Sequence, residues 1–265
     1  MTRPLLTLLC GMTIGLTVTG AIADPRTSVK PVPADPSRGH GGSKGVLPTE
    51  KIDVAGRSRD YRLVVPKSLD PKIPSPLVFA YHGYGDTKES MAEYTQLDKL
   101  AEQHKFVLVY PEGRVDGQNH YWNVTPSAAR HDVEFFDELY DHVTGAYNID
   151  RNRVYLTGIS NGAFFINLLA SQRATRVAAI ASHSGGIGPV GQKQPQLKKK
   201  YAVLIIHGDK DETIKLKTGQ HARDVYREWE HPVDYLEIPG LDHAWGTKAG
   251  VNEKIWKFFE AHPLQ

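Results

Sequence analysis

The 265 residues carry 32 lysines and arginines against 30 aspartates and glutamates, a formal charge of +2. So even a balance gives no electrostatic reason to bind an anionic polymer such as nucleic acid, and the length suits one sizeable core. The one cysteine, Cys10, lies in the first apolar stretch, so the rest of the chain has no intramolecular disulfide, thiolate nucleophile or cysteine metal cluster.

Residues 1–23 read as a signal peptide. Arg3 supplies the positive start, Leu5 to Val18 the apolar stretch, and Ala21-Ile22-Ala23 a small-residue cleavage site. A membrane anchor is the competing reading, but the stretch is short and interrupted by Gly11, Thr13, Gly15, Thr17 and Thr19. A lipid anchor on Cys10 is disfavoured by the bulk of Leu9 before it. The expected mature chain begins at Asp24, is secreted or periplasmic, and has no stable membrane anchor. Losing Arg3 takes the balance from 32 to 31 basic against 30 acidic residues, or +1.

Residues 24–47 are rich in proline and glycine and lack apolar periodicity, which predicts a flexible tether. Residues 48–265 form the remaining domain. "DYRLVVP" (60–66) follows the turn signal Ala55-Gly56-Arg57 and predicts an opening hairpin. "PLVFAYHG" (76–83), "FVLVYPEG" (106–113), "RVYLTG" (153–158), "VAAIASHSG" (177–185), "YAVLIIHG" (201–208) and "VDYLEIPG" (233–240) are the further strands, most of them apolar on both faces. Such strands belong to a sheet covered on both sides. The cover is predicted from helices at 91–104, 132–147, 161–172, 218–230 and 251–261. In the second of these, Phe135, Phe136, Leu139, Val143 and Tyr147 make one apolar stripe. The Lys198-Lys199-Lys200 run reads as a solvated turn rather than a nucleic-acid patch. The alternation predicts a mostly parallel, doubly wound α/β sheet with helices on both faces, whose chemistry lies beyond the carboxyl ends of the strands.

"YLTGISNGAFF" (155–165) puts Ser160 between a strand and a helix, flanked by Gly158 and Gly162. A helix cap would explain the serine alone. The two glycines fit a tight nucleophile elbow, where larger side chains would collide with neighbouring backbone. A serine nucleophile needs a base, and the base needs an acid to hold its tautomer. Among the twelve histidines, His243 in "PGLDHAWG" lies in a loop between the last strand and the last helix. A structural histidine is the alternative. The loop "HGDKDETI" (207–214) offers Asp209, Asp211 and Glu212 as acids; Asp211 is preferred, and Asp209 suits a turn cap that accepts the Asp211 NH. Asp242, beside His243, better serves its own loop. The oxyanion of an acyl transfer would be met by the backbone NH groups of Asn161 and Tyr84. His82 is expected to shape its own loop by backbone bonding. His82 and His207 lack the companions of a metal site, and no cofactor is expected.

"HGYG", "YPEG", "GISNG", "HGDKD" and "DHAWG" in this order resemble the secreted polyhydroxybutyrate depolymerase/feruloyl esterase family of α/β-hydrolases, over roughly residues 50 to 260. The resemblance implies an α/β-hydrolase fold, with the nucleophile on Ser160, the acid on Asp211 (Ile214 replacing a valine) and the base on His243. It also implies an ester substrate of the kind the family takes: a feruloylated or acetylated plant polysaccharide, or a polyester. Similar enzymes often carry a cysteine near "YWNV" (121–124), absent here, and "GLDHAWG" departs from the family's glycines before the histidine. Trp122 and Trp245 could line an aromatic or sugar site, although packing explains either. A serine peptidase would use the same triad but commonly carries a large access-restricting domain. A non-catalytic binding module would be expected to lack one of these residues.

Overall fold

Eight strands form the central sheet of the computed structural model, which describes residues 32–39, 41–188 and 200–264. In chain order these are β1 (Gly45–Val54), β2 (Arg57–Val65), β3 (Ser75–Tyr81), β4 (Val107–Pro111), β7 (Ile149–Ile159), β8 (Ala179–His183), β9 (Ala202–Gly208) and β10 (Val233–Ile238). β5 (Arg114–Asp116) and β6 (Asn119–Tyr121) make a separate hairpin. The spatial order is β1-β2-β4-β3-β7-β8-β9-β10. Only β1–β2 and β2–β4 pair antiparallel, while every pair from β4 to β10 is parallel. This is the doubly wound sheet of the α/β-hydrolase fold.

Alternation along the strands supplies a core on each face. Leu77, Phe79, Val107, Val109, Leu156, Val203 and Ile205 point into one cluster; Val78, Leu108, Tyr155, Leu204 and Ile206 point into the other. The first cluster is covered by α3 (Arg130–Ala146), α4 (Asn161–Gln172) and α5 (Leu216–Glu228). All five residues of the expected stripe, Phe135 to Tyr147, are buried there, and Phe136 meets Phe79 edge to face at 5.0 Å. The second is covered by α1 (Lys88–Thr95), α2 (Leu97–His104) and α6 (Val251–Ala261).

Three expectations are corrected. The single helix over 91–104 is two, because Gln96 takes a left-handed conformation (φ 56°) that ends α1 and starts α2. The small β5–β6 hairpin is an addition to the expected elements, since three-residue strands carry too little pattern. The described part of the 24–47 stretch is not free of the domain. The Ser37 NH donates to the Ile149 carbonyl (2.8 Å), the Arg151 NH to Asp35 (2.9 Å) and the Gly41 NH to Ala146 (2.8 Å), and Pro36 bridges to Asp150. Strand β1 already begins at Gly45. Backbone hydrogen bonds, together with polar side chains such as Ser37, whose hydroxyl donates to the Tyr147 carbonyl (2.7 Å), hold this segment rather than apolar burial, so hydrophobic periodicity does not reveal it. The opening hairpin stands as expected, turning through Ala55 and Gly56, both at positive φ.

The signal-peptide segment, residues 24–31 and Lys198-Lys199 lie outside the described residues. Among those described, no helix is long and apolar enough to cross a membrane.

Candidate active site

The end of β7 delivers Ser160 in a backbone state that L-residues seldom adopt, φ 55° and ψ −120°. Such strain costs on the order of 1–3 kcal/mol and persists only where the surroundings impose it. Here the Ser160 NH donates to the His183 carbonyl at the end of β8 (3.0 Å), and its own carbonyl accepts from Phe164 in α4 (3.0 Å). The Ser160 side chain makes no helix-capping bond, so capping does not explain it. The flanking glycines are needed for space. A Cβ on Gly158 would lie 2.8 Å from the Gly162 carbonyl carbon, and one on Gly162 would lie 2.2 Å from the Tyr81 carbonyl oxygen. Gly162→Ala is therefore expected to destabilise the fold by more than about 3 kcal/mol. A chemical melt of the folded fraction checks this; a near-wild-type midpoint would contradict it.

The loops that carry Asp211 and His243 are joined by backbone hydrogen bonds. The Lys210 NH donates to Leu241 (2.9 Å), and the Asp209 NH donates to Ile238 (3.2 Å). A Cβ on Gly208 would sit 2.2 Å from the Leu241 carbonyl oxygen, so glycine permits this approach. The result is a 2.8 Å hydrogen bond between Nδ1 of His243 and Oδ2 of Asp211. The other Asp211 oxygen, Oδ1, accepts the NH groups of Thr213 (3.0 Å) and Ile214 (2.8 Å). Burial alone would raise this carboxyl; the bonds from His243, Ile214 and Ser184 outweigh it and hold the group below the usual carboxylate range.

Asp209, two residues earlier, faces another way. Its expected bond to the Asp211 NH is not made, for that NH donates to the Gly208 carbonyl (3.3 Å). Its Oδ1 accepts the Gly240 NH instead (2.7 Å). Among the described residues, Glu212 has no bond to His243, and Asp242 contributes only its backbone carbonyl, to Ala244.

Ser160 and His243 line one cleft of about 630 Å³ together with Gly83, Tyr84, Ile159, Leu241 and Trp245. A Cβ on Gly83 would lie 3.5 Å from the Ser160 Cβ, so the turn after β3 touches Ser160. His82 shapes that turn as expected: Nδ1 donates to the Gly83 carbonyl (2.7 Å) and Nε2 accepts the Gly113 NH (2.9 Å). Neither the Tyr84 NH nor the Asn161 NH donates to protein among the described residues. Asn161 also contributes its side chain. It bonds both backbone groups of Trp122, accepting the NH at 2.6 Å and donating to the carbonyl at 3.0 Å, and so ties the β5–β6 hairpin to the elbow.

Trp122 is a packing residue, buried against Tyr81, His82 and Phe165. Trp245 serves both readings, lining the cleft while stacking on His183 (5.3 Å between ring centroids). The polar cleft residues Asp86, Tyr94, Thr247 and Lys248 carry no signal in the sequence, because no motif distinguishes them from ordinary loop and helix positions.

His183 is likewise not singled out by the sequence. It is fully buried at the end of β8, and its pKa falls from 6.5 to about 3, first through burial and then through the neighbouring His207. The unfolded chain accepts a proton near pH 6.5 that the folded ring refuses. Stability is therefore complete above about pH 6.5 and declines as the pH falls towards 3, by about 2 kcal/mol at pH 5. Melting temperatures at pH 7 and pH 5 should differ less in His183→Phe than in the wild type; an equal difference would contradict this origin.

An imidazole fixed at Nδ1 by a carboxylate presents Nε2 to the cleft as a proton acceptor. With Ser160 and Tyr84 on the same cleft and the Asn161 NH next in the chain after the serine, the arrangement can carry out acyl transfer.

The chain is similar to known esterases. Residues 60–194 match the family model Esterase PHB depolymerase, and residues 129–260 match Phospholipase/Carboxylesterase. Feruloyl esterase C of Emericella nidulans is 30% identical over 242 residues, covering 77% of this chain and 84% of that protein. The bifunctional acetylxylan esterase/xylanase XynS20E of Neocallimastix patriciarum is 28% identical over 66% of this chain and 25% of its own length. Feruloyl esterase D of Neurospora crassa is 28% identical over 67% and 62%. The chain thus spans about a quarter of one of these relatives and under two thirds of another. Among solved structures, a thermostable esterase superposes with a TM-score of 0.66 at 20% identity, covering 81% of this chain and 62% of that one. The acetyl xylan esterase from Aspergillus awamori gives 0.64 at 15% identity, covering 80% and 98%. The fold, the elbow and the matched family model lead to one assignment: the chain belongs to the Esterase PHB depolymerase family of α/β-hydrolases.

Proposed function

We propose that this chain is an exported serine carboxylesterase in which Ser160 is the nucleophile, His243 the general base and Asp211 the acid that orients it. The observation that carries the reading is the 2.8 Å bond from His243 Nδ1 to Asp211, on the cleft that Ser160 also lines. In this mechanism His243 Nε2 takes the Ser160 hydroxyl proton as Oγ attacks the ester carbonyl. The NH groups of Tyr84 and Asn161 receive the oxyanion, each worth roughly 2.7–4 kcal/mol in the transition state. The alcohol leaves with the proton from His243. Water, activated by the same imidazole, then releases the acid from the acyl-enzyme.

Relatives bearing the names acetylxylan esterase, feruloyl esterase and poly(3-hydroxyalkanoate) depolymerase support an ester substrate carried by a polysaccharide or polyester. The cleft suits such a group, with apolar Ile159, Leu241 and Trp245 beside polar Asp86, Tyr94 and Lys248. The fold does not separate ester from amide hydrolysis, since a dipeptidyl aminopeptidase-like structure shares it with a TM-score of 0.63. The protein from Asp24 onward, assayed on short aryl esters, methyl ferulate, acetylated xylan, polyhydroxybutyrate and peptide amides, tests the reading. Turnover of at least one ester class without amide cleavage is expected. Activity confined to amides would overturn it. Recovery of an intact Met1 from the cytosol would overturn export.

A further inference from the structure

The loop that follows β9 and carries Asp211 has little apolar burial to hold it. Glu212 and Thr213 are exposed and Ile214 is only half-buried, so packing alone gives the Asp211 carboxylate no reason to keep one orientation. The loop is held by polar bonds instead. One of them comes from a buried side chain that the proposed chemistry does not use.

His207 is the last residue but one of β9, is fully buried, and sits in the register of β9 with β10. Its Nε2 lies 2.8 Å from the Ile214 carbonyl oxygen and 3.5 Å from Oδ2 of Asp211. Both of those oxygens are acceptors, so Nε2 carries the ring proton and donates it to the nearer one. Among the described residues Nδ1 has no hydrogen-bond partner, and in this tautomer it holds a lone pair rather than a buried orphan N–H. The ring has no room to withdraw from the loop, because Gly219 of α5 closes its other side: a Cβ there would lie 2.6 Å from Nδ1.

Ile214 joins this histidine to Asp211. Its carbonyl accepts from His207 while its NH donates to Oδ1 of Asp211 (2.8 Å), beside the NH of Thr213 (3.0 Å). With Oδ1 so occupied, Oδ2 is the oxygen left for Nδ1 of His243 (2.8 Å). The bonds therefore run from the sheet to the cleft in the order His207, Ile214, Asp211, His243.

We propose that His207 is a positioning residue whose Nε2–H, acting through Ile214, fixes the loop that turns Oδ2 of Asp211 towards His243. This rests on the roles given above to Asp211 and His243. Without the donor, the Ile214 carbonyl loses its partner in the protein and is satisfied only by turning towards the water around Glu212 and Thr213. The loop then loses its tie to β9, and the carboxylate its single orientation. A displacement of about 1 Å, though it starts away from the reacting atoms, can cost about 10²-fold in rate. The competing reading is that the ring only fills space between β9 and α5.

Side-chain length separates the two readings. The amide nitrogen of His207→Gln reaches the neighbourhood of Nε2, whereas that of His207→Asn reaches only the neighbourhood of Nδ1. On a short aryl ester, kcat of the folded His207→Asn enzyme is expected to fall about 10²-fold with KM changed less than about twofold, and kcat of His207→Gln to stay within about threefold of wild type. Added to Asp211→Asn, the His207→Asn change should lower kcat less than about twofold further, because the residue that it positions is already lost. Space filling predicts instead that melting temperature falls while kcat per folded enzyme does not. That result, equal losses of kcat in the two single variants, or a full further loss in the double variant would overturn the proposal. Long-range nitrogen–proton NMR of the intact wild-type protein needs neither turnover nor a variant: His207 is expected as the Nε2–H tautomer, and the Nδ1–H tautomer would overturn the proposal. The downfield proton of the bond from His243 Nδ1 to Asp211 should persist in His207→Gln and broaden or vanish in His207→Asn. If these signals behave so and no ester is hydrolysed, the esterase reading fails and the positioning role stands.

Discussion

Ser160→Ala is expected to abolish ester hydrolysis, lowering kcat by a factor on the order of 10⁵ to 10⁶ while the protein remains folded. The size follows from the division of labour at the elbow. Without Oγ no acyl-enzyme can form, and His243 and Asp211 have no proton to move; only the oxyanion donors and substrate binding remain. Folding should be spared, because the side chain makes no capping bond and the backbone bonds to His183 and Phe164 do not involve it. Alanine at φ 55° is strained about as serine is, so the backbone term largely cancels between variant and wild type. An esterase assay beside a thermal melt checks both halves. Retained turnover would mean that another residue attacks the ester, and labelling by an organophosphonate at a peptide other than that of Ser160 would identify it.

Ser160 is legible in the sequence for a local reason. A strand, two glycines two residues either side of a serine, and an apolar helix all report on the same steric problem, and the close approach of Gly162 to the Tyr81 carbonyl is that problem. The sheet is legible for a similar reason, since its strands are apolar on both faces and each face has its own core. The features that the sequence hides are held by interactions that leave no pattern. Asp35, Ser37 and Gly41 dock through backbone groups, which every residue possesses, and through the Ser37 hydroxyl, which bonds Tyr147 and Ile149, serine being a common residue type in any loop. Gln96 breaks a helix inside an apolar pattern that continues across it, and only its φ of 56° reveals the break. Ser184 and His183 sit in "ASHSG", which reads as the end of a buried strand; the bonds from the Ser184 NH to the Ile206 carbonyl and from the Ser160 NH to the His183 carbonyl depend on the lateral packing of β8 against β9 and β7. The elbow motif gives a role to the Asn161 NH but none to its side chain, whose two bonds to Trp122 cross 39 positions of sequence.

The choice between Asp209 and Asp211, two residues apart, gives the second large effect. Asp211→Asn is expected to lower kcat by roughly 10⁴ and Asp209→Asn by less than about threefold. The arrangement of the acid loop explains the difference. Oδ1 of Asp211 is occupied by the NH groups of Thr213 and Ile214, so an asparagine there would keep its carbonyl oxygen on those donors and turn its NH2 towards His243. Facing a donor, Nδ1 of His243 must become an acceptor, which moves the ring proton to Nε2. An imidazole protonated at Nε2 cannot take the proton of Ser160. The hydrogen-bond count is preserved while the tautomer is wrong, so the loss should appear in kcat with little change in melting temperature. Asparagine at 209 can still offer an oxygen to the Gly240 NH, and the change there should be at most about 1 kcal/mol of stability. Measuring kcat and melting temperature for the two variants in parallel separates the roles. A large loss of kcat confined to Asp209→Asn would overturn the assignment, and small losses in both would move the acid elsewhere, with Asp242 the next residue to test. The pH profile supplies an internal control: if Asp211→Asn traps the wrong tautomer, its activity should recover only where hydroxide replaces the imidazole as base, rising with pH beyond the wild-type plateau.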